Sequence, residues 1–383
     1  MPRPNTPRYR PIRTRQASTG PYINIADQSY LSFCSNDYLG LSQHPYVNEA
    51  CKQAIDVFGV GSTASQWVCG YTDAHHALSE ALVNWLDCER VALFPSGYMA
   101  NLGVLQALTQ RHDHIFHDRE NHASLIDAVQ LTRCPHTRYR RTALPRLTTH
   151  LQHHTAPRSW LVTDAVFSMS GAVAPLEHLA QLTQSTHTGF IVDDAHGIGV
   201  LGPKGQGALS YTQTKLNQVT AYIITFGKAF GTAGAAVCGQ KDLIEYIQQQ
   251  ARTLAFTTAP PPSIAAATLA SLECMQNHPE YRLKLQSNIE YFYAKALSLQ
   301  LKVTSQPTPI IFISTGDSTL ALQWSDALKQ SGIWVHPVRA PSVPPHQAGL
   351  RITLSSNHTR AHLDQLLETL HATQPQALLD HCH

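Results

Sequence analysis

The sequence predicts an α/β protein: a large domain on a mostly parallel, helix-covered sheet, followed by a smaller C-terminal α+β domain. Three observations predict it. From about Val91, short β-rich runs alternate with longer stretches of helical spacing, the rhythm of βαβ units. The chain has 383 residues, room for two or three domains at roughly 100–200 residues each. Pro260-Pro261-Pro262 interrupts the rhythm, and the pattern beyond it changes character. The expected divisions are an N-terminal arm over 1–40, the large domain over 41–278 and the C-terminal domain over 279–383.

Taken in order, the first forty residues are basic and then punctuated by Pro and Gly, hence the arm. Val91–Phe94 is short and apolar, a strand, and Gly97–Thr109 has helical spacing. His114–His117 reads as strand, His122–Thr132 as helix, Trp160–Phe167 as strand and Leu176–Gln184 as helix. Phe190–Asp194 and Ala221–Phe226 are apolar enough for buried strands; Ala235–Gly239 fits another, and Lys241–Arg252 a helix. Such a sheet is parallel, with ligands at the carboxyl ends of its strands. After the prolines, Ser263–Gln276 and Tyr281–Leu299 are helical. Ile310–Ile313, Ser318–Gln330, Ile333–His336, Leu350–Leu354 and Arg360–Ala372 furnish the smaller domain.

Composition narrows the function classes. Lys+Arg is 28 and Asp+Glu 26, a formal net charge of +2, which gives no global pull toward nucleic acid or acidic membranes. Charged residues are 14% and hydrophobic ones 43%, a soluble globular composition and not a disordered one. The arginines at 3, 8, 10, 13 and 15 precede no apolar run, so neither a signal peptide nor a membrane span is expected. The cysteines stand far apart, with no Cys-x-x-Cys pair. They read as small buried hydrophobes in a reducing cytosol. His112-x-His114-x-x-His117 and His153-His154 lack a helix-facing carboxylate partner, and no metal is expected.

The sharpest local signal is Thr225-Phe226-Gly227-Lys228-Ala229-Phe230-Gly231. A strand ends, a glycine turns the chain, and one lysine stands at the carboxyl edge among small and aromatic neighbours. Partial desolvation there favours the neutral amine that attacks a carbonyl; alone, the residue reads more readily as a solvated turn lysine. About thirty residues earlier a buried strand ends in Asp193-Asp194-Ala195-His196-Gly197. A carboxylate buried after apolar residues needs a cationic or donor partner. A pyridoxal 5'-phosphate ring supplies one, because its nitrogen stays protonated only beside an anion. Asp193 suits that nitrogen, and His196 the 3'-oxygen. Phosphate needs free amides at a helix start. Ser96-Gly97-Tyr98 offers one, though an ordinary cap has the same appearance, and Thr225 is a second donor. His122 opens another helix after a strand, where an imidazole stacks on a pyridine face or lies at the surface. Ser168 ends a strand and is a further donor.

Together these strand ends resemble the α-oxoamine synthases, fold-type I pyridoxal-phosphate enzymes, over about Arg10 to Leu370. The stretches that carry the resemblance are Asn36-Asp37-Tyr38-Leu39-Gly40-Leu41, Asp193 to Gly197, Thr225 to Gly231, and Leu350-Arg351-Ile352-Thr353-Leu354. The resemblance implies that Lys228 binds the cofactor covalently, that His122 stacks on its ring, and that Asp193 and His196 are its polar ring partners. Gly97, Tyr98, Ser168 and Thr225 match cofactor contacts. Arg351 matches the arginine that grips the amino-acid carboxylate, while Arg10, Asn36 and Ser342 match substrate-side positions. Thr258 matches a residue that reaches the phosphate of a neighbouring subunit, so a homodimer with shared active sites is implied. The implied reaction condenses L-alanine with a pimeloyl thioester, on coenzyme A or a carrier protein, and releases CO2.

There are departures from the family. A glycine-rich segment appears here as Gly61-Ser62-Thr63-Ala64-Ser65-Gln66, and Met-Asp-Gly-Asp as Met169-Ser170-Gly171-Ala172. Thr258 is followed by Ala259 where a serine is common. The resemblance places the first segment near the substrate, so the missing glycines bear on acyl-chain fit. Sister activities, such as glycine with acetyl-CoA or a longer acyl donor, would share every cofactor residue. A catalytically silent partner subunit would be expected to lack the lysine that this chain has.

Overall fold

The computed structural model describes residues 12–340 and 343–379. They fall into two compact units. One holds 41–168 and 172–279; the other takes the described residues up to 40, the segment 169–171 and those from 280 onward.

The second of these begins with β1 (Tyr22–Ile25) and β2 (Gln28–Ser32), an antiparallel hairpin inside the expected arm. Ala26 and Asp27 close it at φ 50° and 61°, the left-handed pair that a two-residue hairpin turn requires.

The larger unit opens with helices α1 (Pro45–Phe58) and α2 (Asp73–Leu86). The alternation follows: β3 (Arg90–Phe94), α3 (Gly97–Leu108), β4 (His114–Asp118), α4 (Ala123–Thr132), β5 (His136–Tyr139) and α5 (Leu144–Gln152). Then come β6 (Ser159–Asp164), α6 (Leu176–Ser185), β7 (Gly189–Asp193), α7 (Ala208–Tyr211), β8 (Ala221–Thr225) and β9 (Ala235–Gly239). Helices α8 (Lys241–Gln250), α9 (Arg252–Ala255) and α10 (Pro262–Asn277) complete it. The seven strands form one sheet in the order β3-β9-β8-β7-β6-β4-β5. Neighbours from β8 through β5 pair in parallel; β9 runs antiparallel to both β8 and β3. That departure has a simple cause. The link from β8 to β9 contains no helix to carry the chain across the sheet, so the strand returns directly and reverses.

One face of the sheet packs Val162, Ile191, Ile223 and Val237 against Val104, Leu105, Leu125 and Ile247 from the helices. Fully burying each such side chain stabilises by roughly 1.5–3 kcal/mol. The register sets Asp164 beside Asp193, and Asp193 beside Ile223. Three parallel strands therefore end together, and their loops gather on one edge.

The smaller unit continues with α11 (Glu280–Ser298), β10 (Ile310–Ser314), α12 (Ser318–Gln330), β11 (Ile333–Trp334), β12 (His336–Val338), β13 (Gly349–Thr353), α13 (Arg360–Ala372) and α14 (Gln376–Leu379). It contains two three-stranded sheets, β1-β2-β11 and β10-β13-β12. The single strand expected at Ile333–His336 is thus divided between them. Pro337, lacking an N–H, sits in β12 at a sheet edge, where the loss is tolerated.

Two further expectations are corrected. The strand expected to reach Phe167 ends at Asp164, because the chain turns back there and Val166 pairs with Val173 in an isolated bridge. Among the described residues the cysteines are free, yet of these only Cys134, Cys238 and Cys274 are buried, and Cys69 is exposed in the short turn over Gln66–Gly70. Among the described residues no helix is long and apolar enough to cross a membrane.

Candidate active site

The loops at the carboxyl edge of the large sheet enclose a cavity of about 370 Å³. Its walls include Gly97, Tyr98, His122, Ser168, Asp193, His196, Thr225 and Lys228. Residues scattered over more than a hundred positions of sequence are thus brought to one place by strand order.

The twin carboxylates at the end of β7 separate. Asp193 faces the cavity, where its Oδ1 accepts the Ala195 N–H at 3.0 Å and its Oδ2 accepts Asn101 Nδ2 at 2.6 Å. Asp194 is fully buried and accepts N–H groups of Gly197 (3.0 Å) and Ala208 (2.6 Å) and the Tyr222 hydroxyl. It ties down the loop after β7. Burial nevertheless pushes its carboxyl up to about 7, with the Tyr222 hydrogen bond opposing.

His122 caps α4, and the Ser124 N–H donates to its Nδ1. Its backbone N–H donates to Asp164 Oδ2 at 2.7 Å, while Asn121 bonds Val162 O and the Asp164 N–H. The imidazole is thereby held against the end of β6. Burial lowers its pKa, partly offset by the Asp193 charge. Asp164 also lines the cavity; burial, then the Asp193 charge, raises its carboxyl well above the usual range.

Helix α3 starts at the cavity, with Ser96 as N-cap accepting the Met99 N–H. A Cβ on Gly97 would lie 2.5 Å from Thr225 Cγ2, so only glycine lets this helix start approach β8 so closely. Thr225 Oγ1 reaches Ala195 O at 3.4 Å. Lys228, half-buried, follows the end of β8 by three residues.

The remaining sequence candidates lie elsewhere. Thr258 is exposed and is not among the residues lining this cavity. Its loop is pinned to the segment that departs from the family's glycine-rich pattern: Ser62 Oγ donates to Pro260 O, and the Ala259 N–H to Ala64 O. In the smaller unit, Arg351 NH2 donates to Asn36 Oδ1 at 3.2 Å and NH1 to Thr353 Oγ1 at 2.9 Å. Tyr38 beside them is pushed up to about 12 by burial, with Arg351 opposing. Arg10 and Ser342 fall outside the described residues.

Sequence reasoning missed Asn101, Ser124 and Asp164. Asp164 gave the same signal as Asp193, a carboxylate closing an apolar strand. Asn101 is a polar residue on the buried face of α3, among Ala100, Val104 and Leu105, costly there without partners.

A phosphorylated pyridine aldehyde fits this donor set. The cavity offers an amine, two buried carboxylates where a cationic ring nitrogen needs one, and a helix start with a glycine cradle where a dianion needs amides. Fold and donor set together define a fold-type I pyridoxal-phosphate enzyme.

The pattern of the aminotransferase class I and II family matches residues 28–370. The 8-amino-7-oxononanoate synthase of Methylococcus capsulatus is 44% identical over 96% of this chain and 95% of its own length. That of Nitrosococcus oceani is 43% identical over 94% and 96%. Among solved structures, a serine palmitoyltransferase from S. paucimobilis superposes with TM-score 0.90 at 26% identity, covering 94% of this chain and 90% of that one. The 8-amino-7-oxononanoate synthase from Francisella tularensis gives 0.80 at 32% identity, covering 92% and 99%. The chain belongs to the aminotransferase class I and II family and, within it, to the family of the 8-amino-7-oxononanoate synthases.

Proposed function

We propose that this enzyme condenses L-alanine with a pimeloyl thioester, carried on coenzyme A or a carrier protein, to give 8-amino-7-oxononanoate, CO2 and the free thiol. The observation that carries the reading is the convergence of Lys228, Asp193, His122 and His196 on one cavity at the sheet edge, in a chain whose relatives bear that enzyme's name. When bound, pyridoxal phosphate supplies an electron sink for the charge left as bonds at the substrate Cα break.

The chain's own residues do the rest. Lys228 Nζ would hold the cofactor covalently, and its amine would take the proton from the substrate Cα. Asp193 would keep the ring nitrogen cationic, His196 would serve the 3'-oxygen, and His122 would pack on the ring. Gly97 and Tyr98 at the start of α3, with Thr225, would hold the phosphate side, and Ser168 would be a further cofactor contact. Arg351, already oriented by Thr353 and Asn36, grips the alanine carboxylate; a guanidinium fork matches it. Arg10 and Ser342 are proposed on the substrate side.

The working unit is proposed to be a homodimer. Thr258 is exposed on a pinned loop, near Phe256, which is 72% exposed and stacks edge-on with Trp67 at 6.5 Å. Arg252 lies over the Phe256 ring at 4.8 Å, and a second copy seated on this face would bring its Thr258 to the phosphate. The free cysteines accord with a reducing cytoplasm.

Lys228→Ala tests the reading. The parent, loaded with pyridoxal phosphate, should absorb in the visible and release CO2 from alanine plus pimeloyl thioester. The variant should lose turnover by about 10²–10⁴-fold or more while still binding cofactor. Release of CO2 near the parent rate would refute the role of Lys228. Offering alanine, glycine and serine with acyl thioesters of several lengths separates this activity from its sisters.

A further inference from the structure

Asn101 was not among the residues the sequence singled out, yet it stands at the centre of the cavity's hydrogen bonding. It lies in the second turn of α3 and is 1% exposed. Its Nδ2 donates to Asp193 Oδ2 at 2.6 Å and to Ser124 Oγ at 2.8 Å, using both amide hydrogens. Its Oδ1 is buried without a hydrogen-bond partner. Reversing the amide would supply no relief, because that oxygen would then press against the Asp193 carboxylate. The orientation is therefore set by charge.

That orientation propagates. Ser124 Oγ accepts from Asn101, so its own hydrogen is left for His122 Nδ1, 2.8 Å away. The Ser124 backbone N–H points at the same nitrogen at 3.3 Å. Nδ1 is thus met by two donors and must offer its lone pair, which places the ring proton on Nε2.

We propose that Asn101 is a positioning residue that fixes the Asp193 carboxylate directly and, through Ser124, holds His122 in its Nε2–H form. Two groups assigned to the cofactor ring are then oriented by one amide. The proposal rests on the reading of this cavity as the pyridoxal-phosphate site, but the relay itself exists without the cofactor. Leaving one amide oxygen unsatisfied in the core costs stability, which a packing role would not require.

The test has two arms. In the first, ¹⁵N-histidine NMR of the cofactor-free chain compares the parent with Asn101→Asp and Ser124→Ala, His122→Gln identifying the signal. The parent should show Nδ1 bare and Nε2 protonated. In Asn101→Asp the new carboxylate draws the Ser124 hydrogen to itself, and the His122 proton should move onto Nδ1. Ser124→Ala should shift the His122 signal as well, through loss of one of the two donors. Unchanged His122 signals in both variants overturn the relay.

In the second arm, Asn101→Ala is titrated with pyridoxal phosphate. Affinity should fall about ten- to a hundredfold, the worth of a charge-assisted hydrogen bond. The pH midpoint of the loaded protein's visible band should also move. Ser124→Ala, which leaves Asp193 its donor, should keep that midpoint. Loss of affinity in step with lost thermal stability, with midpoint and NMR signals unmoved, marks mere packing and overturns the proposal. A parent that shows the NMR pattern but takes up no pyridoxal phosphate overturns the cofactor reading instead, and the positioning role with it, by a distinct signature.

Discussion

Asp193 and Asp194 follow one another at the end of β7, and the period of a strand sends them to different duties. Asp193 lines the cavity, whereas Asp194 gathers two backbone N–H groups and the Tyr222 hydroxyl. A Cβ on Gly207 would come within 2.2 Å of both Asp194 Oδ2 and the Tyr222 hydroxyl, so the second carboxylate is packed against glycine by necessity. Tyr222→Phe should therefore be felt as a loss of stability and not of cofactor binding. Removing one donor from a buried carboxylate should cost about 1–3 kcal/mol, read from the shift in urea midpoint. Pyridoxal-phosphate affinity should stay within about twofold, since Asp193 keeps both its donors. An equal fall in affinity would mean that the two carboxylates are coupled. The sequence made the pair visible, for acids closing an apolar strand are conspicuous. The donors serving Asp194 lie 3, 14 and 28 residues onward, and no local pattern links them.

At the scale of elements, the site is made where α3 begins against the end of β8. Both were legible, β8 from its unbroken apolar run and α3 from its spacing. Their contact was not, because it depends on β8 and β3 being separated by β9 alone, and neither that order nor the direction of β9 shows in an apolar run. Likewise β5, His-Thr-Arg-Tyr at the sheet edge, has too few apolar residues to be seen as a strand; pairing on one side only suffices for it. The contact yields a prediction with its own rescue. Gly97→Ala would put a methyl 2.5 Å from Thr225 Cγ2, and such overpacking costs typically about 1–3 kcal/mol. Cofactor affinity should fall with it, as the helix start is pushed from the strand. Adding Thr225→Ser removes Cγ2 and keeps the hydroxyl, and should restore most of both losses. If the double variant is as weak as Gly97→Ala alone, the close approach is not what glycine is there for.

For the molecule as a whole, stability against pH is decided by buried groups of opposite habit. His114, His117 and His358 are each lowered to about 4, chiefly by burial. Below the ordinary 6.5 the unfolded chain takes up protons that these folded rings refuse. Their contribution is therefore complete above 6.5 and lost as pH falls toward 4. Asp194, raised to about 7, works the other way. Folded, it keeps a proton that the unfolded chain releases above 3.8, so its contribution is present in acid and lost as pH rises through 7. Asp118 and Asp164 are raised in the same direction by burial. Between pH 4 and 6.5 the two classes oppose, but burial also lowers His75, His122, His154 and His362, so the histidines outnumber the raised carboxyls and the parent should gain stability as pH rises there. Removing one histidine should tilt the balance. His358 is 2% exposed, stacks on Phe33 at 4.3 Å, receives the Ser355 N–H and gives its Nε2–H to Ser32 O. His358→Gln loses that packing at every pH, but it also removes a group that resists protonation. Its cost in urea unfolding of the cofactor-free chain should be about 2 kcal/mol smaller near pH 5 than near pH 7.5, the linkage expected for a base moved from 6.5 to about 4. The same cost at both pH values would show that His358 is protonated as readily in the folded chain as in the unfolded one, and that burial does not set its charge.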